Sequence, residues 1–227
     1  MAASAQLHRM VISGKPDLWA RSASAAALLV SLTTLLVTRC EVRDTKRAGR
    51  ERADYLSYRL GIDMGRFAAG RSSTKSHLPA KVTSEMLKNT PSLVTALGLA
   101  VQIPDSMDDA AVEALLARIP QRIHDYHGQR AVEAFTLGSV MGRCFASLAP
   151  RVFEERSHSL VGIRGNFLAY LSNGVTRINR QLEFLHFPER LSLDTTSAAR
   201  SYTALQALDE RLTDSWDPVS GVWQRTP

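Results

Sequence analysis

The chain carries one helix motif twice, Leu60-Gly61-Ile62-Asp63-Met64-Gly65-Arg66 and Leu137-Gly138-Ser139-Val140-Met141-Gly142-Arg143, at a spacing of 77 positions. The likeness extends outward, with Tyr58 matched by Phe135 and Ala69 by Ala146. On a helix, Tyr58, Gly61, Gly65 and Ala69 fall on one stripe at steps of three, four and four, and Phe135, Gly138, Gly142 and Ala146 do the same. Each glycine inside a helix costs about 1 kcal/mol relative to alanine, so four cost about 4, against a total stability of about 5 to 15. Close approach of a second backbone is the simplest compensation. The shared stripe therefore predicts that Gly61, Gly65, Gly138 and Gly142 pack the two copies together about a pseudo-two-fold axis. A groove for a flat ligand is the competing reading. It is the weaker one, because Arg66 and Arg143 lie off the stripe and nothing nearby supplies cofactor chemistry.

Around these motifs the sequence is helical almost throughout, without the sustained alternation that marks half-buried strands. The expected fold is all-α, an irregular helical bundle with an amino-terminal membrane-spanning or signal-like helix and an internal pseudo-repeat of the Gly-x-x-x-Gly helix. A first body helix is expected from about Asp44 to Ala69, broken by the serine-rich run Gly70–Ser76. Thr90-Pro91-Ser92-Leu93 suits a helix start with proline in the first turn. Another helix follows Pro104-Asp105-Ser106 up to Pro120, and the pattern resumes from there toward Leu148, closed by Ala149-Pro150. Leu160, Ile163, Phe167, Leu171, Val175, Ile178, Leu182 and Leu185 step by threes and fours, which predicts one long helix ended by Pro188. A last helix is expected over about 195–212. The resulting divisions are 1–40 as the amino-terminal segment, 41–215 as the helical domain and 216–227 as an irregular tail.

The amino-terminal segment holds an uncharged run from Ser22 to Thr38, flanked by Trp19 and Arg21 before it and Arg39 after it. As a helix it is about 25 Å long, short of the roughly 30 Å hydrocarbon core, and its serines and threonines weaken insertion. Trp19 at headgroup level and a snorkelling Arg39 would extend the span, so a single-pass membrane anchor over 22–38 is the expectation. A cleaved signal, an organellar presequence and a buried soluble helix are the alternatives. Leu36-Val37-Thr38-Arg39-Cys40 also resembles a bacterial lipoprotein box, with Arg39 standing where that family carries a small residue. The basic residues after the segment would keep the large domain cytoplasmic by the positive-inside rule, whereas a secretory reading places it outside. Glu41, Asp44, Glu51 and Asp54 dilute those basic residues along the sequence, so a solvated helix face is favoured there over an acidic-lipid site.

The formal charge of +6 comes almost wholly from arginine, since the chain has only five lysines. Such usage more often reflects genome composition than a nucleic-acid surface, so nucleic acid is the weakest of the partner readings, behind a membrane and other proteins. Cys40 and Cys144 make no spaced metal or redox motif.

Two Glu-x-x-His pairs, Glu155 with His158 and Glu183 with His186, have the spacing with which helical di-iron proteins aim a carboxylate and an imidazole at one metal. Within one continuous helix they would stand about 42 Å apart. His124 and His127 are spaced for a shared metal but lack further ligands in sequence. No phosphate loop, nucleophile elbow or zinc-protease helix occurs. The expected function is that of a membrane-anchored helical envelope or assembly protein acting by protein–protein interaction, without a cofactor. A helical enzyme or metal-binding protein is the alternative.

Overall fold

A computed structural model describes residues 18–72, 89–101, 109–156, 165–194 and 196–223. The protein is all-α in class. Its helices are α1 (Leu18–Ser72), α2 (89–96), α3 (Asp109–His127), α4 (Gln129–Arg156), α5 (Gly165–Leu185) and α6 (Ala198–Asp214), followed by a two-residue hairpin, β1 (Trp216–Asp217) and β2 (Val222–Trp223). The chain divides into two units, residues 1–46 and 47–227.

The first unit holds the beginning of α1. The run Ser22–Thr38 and the charged residues after it belong to one helix that starts at Leu18, so the expected helix start near Asp44 is corrected. Alternating charges favour solvated helix, and neither glycine nor proline intervenes between Arg39 and Ala48. Residues 36–46 are exposed, Leu36 and Val37 by more than half. Among the described residues no helix is long and apolar enough to cross a membrane. Most of the expected single-span anchor, residues 22–35, lies outside the residues whose side chains are described. Side chains of 18–35, including the expected flanks Trp19 and Arg21, lie outside the described residues, while Arg39 is exposed.

The second unit is a bundle built around α1 and α4. On one side, Ala53, Leu60, Met64 and Phe67 of α1 close a core with Val94 of α2 and Leu97 just after it, Leu115, Ile119 and Ile123 of α3, and Ala131 and Phe135 of α4. On the other, Tyr58 and Ile62 of α1 join Leu137, Met141 and Leu148 of α4, Leu171, Ile178 and Leu182 of α5, and Leu205, Leu208 and Leu212 of α6. The first triplet of helices thus supplies most of one core and the second triplet most of the other. The central pair contributes to both.

Several expected boundaries move, each for a tertiary reason. Pro120 lies inside α3 and Pro150 inside α4. An interior proline costs about 3 kcal/mol, but the stripe Leu115, Ile119, Ile123 runs through Pro120 at 4% exposure or less, and burying each such side chain returns about 1.5 to 3. The break between α3 and α4 falls instead at Gly128, whose φ of +84° suits glycine and whose N–H reaches the His124 carbonyl at 2.9 Å. Of the long helix expected from Leu160, the described part is α5, and Leu160 and Ile163 lie outside the described residues. Ser197 caps α6, its hydroxyl accepting from the Arg200 N–H at 3.2 Å.

The tail differs from the irregular segment expected. The β1–β2 turn folds Trp223 back to 2% exposure against Tyr58 and Phe187, and its indole N–H donates to the Leu212 carbonyl at 2.7 Å. A buried indole with its single donor satisfied closes the base of the second core.

Candidate functional site

The two motif copies meet face to face. A Cβ placed on Gly61 would overlap the Phe135 carbonyl oxygen and sit 2.9 Å from Ser139 N; one on Gly138 would overlap the Tyr58 carbonyl oxygen and sit 2.8 Å from Ile62 N. At Gly65 the clash is with the Ser139 carbonyl, its carbon at 2.8 Å, and at Gly142 with the Ile62 carbonyl, with Arg66 N at 2.8 Å. These neighbours are main chain, so no rotamer change could make room. A shift of 77 converts the carbonyl contacts into one another: Phe135 is Tyr58 plus 77, and Ser139 is Ile62 plus 77. Contact positions rise together along both helices, so α1 and α4 run parallel through the seam.

The symmetry fails where the first copy is polar. Asp54, Ser57 and Asp63 correspond to Ala131, Ala134 and Val140, and all six are buried. Asp54 faces Arg130 of α4, with Nε 2.7 Å from Oδ2, but the approach is badly directed and both atoms lack a well-formed hydrogen bond. Burial is the larger influence on Asp54, with Glu51 adding to it, and the opposing pull of Arg130 and His127 leaves its carboxyl pushed up to about 6. Asp63 has no ion-pair or hydrogen-bond partner among the described residues. Its burial likewise pushes it to about 6, against the attraction of Arg59 and Arg66. The Ser57 hydroxyl and Glu51 Oε2 are also buried without a hydrogen-bond partner among the described residues.

A better satisfied polar contact joins α1 to α6. The Tyr58 hydroxyl donates to Asp209 Oδ1 at 2.5 Å, with Arg59 Nη1 3.9 Å from the same oxygen. Burial and the Asp209 carboxylate push the phenol well above its usual range, so Tyr58 holds its proton as a fixed donor.

The metal candidates do not converge. His124 is exposed, and His127 Nε2 lies 2.7 Å from the Leu97 carbonyl, where a protonated nitrogen donates. Glu183 pairs with Arg190 at 3.4 Å. His186 takes φ +65° just after α5, where its N–H meets the Glu183 carbonyl at 3.0 Å and the Phe187 N–H meets Leu182 at 2.8 Å. This is a helix terminator in the position usually held by glycine. Glu155 lies near the carboxyl end of α4, and His158 is outside the described residues. Gly174 of α5 abuts Cys144 of α4, while Arg130 reaches the Leu185 carbonyl, so α4 and α5 are antiparallel. Glu155 and Glu183 therefore lie at opposite ends of that pair, about 35 Å apart by helical rise. Among the described residues no three His, Cys, Asp or Glu side chains are grouped to hold a metal.

The fold and seam define a class: an all-helical protein centred on a glycine-lined pair of parallel helices. No protein-family model, curated protein or solved structure matches the chain.

Proposed function

We propose that this chain is a helical assembly protein that works by binding other proteins and is attached to a membrane through the first part of α1. The observation that carries the reading is the composition of α1. The helix is uncharged from Ser22 through Thr38, exposed over 36–46, and lined with buried core residues from Ala53 onward. An attachment segment and a bundle element are thus written into one helix. The glycine seam supports a scaffold role, since main chain packed on main chain resists deformation and presents a fixed outer surface. Fractionation of cells expressing the full chain, followed by alkaline carbonate extraction, tests the attachment. Sedimentation with membranes is the expected result, whether resistant to carbonate or released by it. Recovery in the soluble fraction before extraction would contradict it.

A second reading, a helical enzyme, draws on Asp54 and Asp63. Buried carboxyls held near 6 are groups able to exchange protons at physiological pH. Loss of a chemical activity on Asp63→Asn, without loss of folding, would favour it over the scaffold.

A further inference from the structure

From Arg39 to Lys46 the charges are interspersed along the sequence but segregated around the helix. Arg39, Arg43 and Lys46 follow one another at steps of four and three, which places them on one stripe of α1. At about 100° per residue, Asp44 and Glu41 lie roughly 140° and 200° around from Arg39, on the opposite side. All five are exposed. Among the described residues the three cations have no ion-pair partner, so none of those residues neutralises the stripe. Immediately before it, Leu36 and Val37 are 58% and 56% exposed, at the end of a run without charge.

We infer that Arg39, Arg43 and Lys46 form a docking face for the anionic headgroups of a lipid bilayer. The occupant follows from the order of the two features. Exposed apolar side chains lead directly into an unneutralised cationic stripe, and an acidic bilayer presents hydrocarbon beside negative charge in the same succession. An acidic protein would complement the cations but not the uncharged helix leading to them. Glu41 and Asp44, directed to the other side, stay in water. The inference rests on the membrane attachment proposed above and names the lipid class that attachment selects.

Sedimentation of the full chain with two vesicle preparations tests it, one of phosphatidylcholine alone and one containing about 30% phosphatidylserine. The wild type is expected to bind the acidic vesicles more tightly, with an advantage that shrinks as salt rises. Arg39→Gln, Arg43→Gln and Lys46→Gln together should reduce affinity for acidic vesicles on the order of 100-fold, the combined effect of three cations at an acidic surface. Glu41→Gln with Asp44→Asn should retain or strengthen binding. Far-ultraviolet circular dichroism establishes that each variant is helical. Equal binding to both preparations, or an unchanged triple variant, overturns the cationic face while leaving membrane attachment standing. Binding to neither preparation overturns both.

Discussion

Gly65 of α1 lies against the main chain of Ser139 in α4, so near that a Cβ at position 65 would stand 2.8 Å from the Ser139 carbonyl carbon and 2.9 Å from its Cα. The contacts at Gly61, Gly138 and Gly142 complete a reciprocal set. Four expensive helix positions thereby become sites where main chain of α1 lies directly against main chain of α4. Its outer helices are arranged in two cores on either side.

Stability should fall as pH rises from about 4 through 6. Asp54 and Asp63 both hold folded-state values near 6, above the ordinary 3.8, so the folded protein binds more protons than the unfolded chain across that window. The stabilisation is present below the unfolded value and lost as pH passes through the folded one. Each shift corresponds to on the order of 3 kcal/mol. Urea unfolding at pH 4.5 and 7.5 should show the wild type more stable at the lower value, with the difference reduced in Asp63→Asn. An unchanged difference in that variant would remove Asp63 from the account. Asp63→Val, which copies Val140 of the second motif, should stabilise the protein at pH 7.5.

The carboxyl-terminal hairpin should be required for full stability. Trp223 fills the base of the second core and its indole nitrogen is satisfied by Leu212. Trp223→Ala is expected to cost about 3 to 5 kcal/mol in denaturant unfolding. A loss below about 1 kcal/mol would show that the hairpin does not close the core.

The two cysteines should separate cleanly in a thiol assay. Cys40 is exposed, whereas Cys144 is buried against Gly174 and burial pushes its thiol up to about 11. A thiolate reagent near pH 7.5 should therefore titrate one thiol rapidly in the native protein and the second only on unfolding. Rapid reaction of both, or slow reaction of Cys40, would contradict the burial described.

What the sequence disclosed and what it hid divide along physical lines. Helical periodicity and the glycine stripe are local signals, because 3.6-residue spacing places those residues on one face whatever packs against it. Pro120 and Pro150 misled as helix ends because their local cost is outweighed by burial of neighbours that only the folded bundle supplies. His186 looked like a metal ligand because it stands three residues after Glu183, whereas the fold uses it to end α5, at a φ of +65° where glycine is the familiar terminator. The Asp54–Arg130 contact joins residues 76 positions apart, and Tyr58 meets Asp209 across 151. Neither pair shares a periodic pattern that sequence reading could use. The mismatch of Asp54, Ser57 and Asp63 with Ala131, Ala134 and Val140 was open to view once the motifs were aligned, but its meaning required knowing that all six positions are buried.

The seam itself is tested by the sign of an alanine substitution. Gly49 also lies within α1, but a Cβ there would meet nothing within 4 Å, so Gly49→Ala should gain up to about 1 kcal/mol from helix propensity alone. Gly138→Ala gains the same propensity but drives a methyl into the Tyr58 main chain, and should lose on the order of 2 to 4 kcal/mol net. Equilibrium urea unfolding of the two variants beside the wild type reads both signs. Stabilisation at Gly49 with destabilisation at Gly138 is the predicted result. A stabilising or neutral Gly138→Ala would contradict the close packing of α1 on α4.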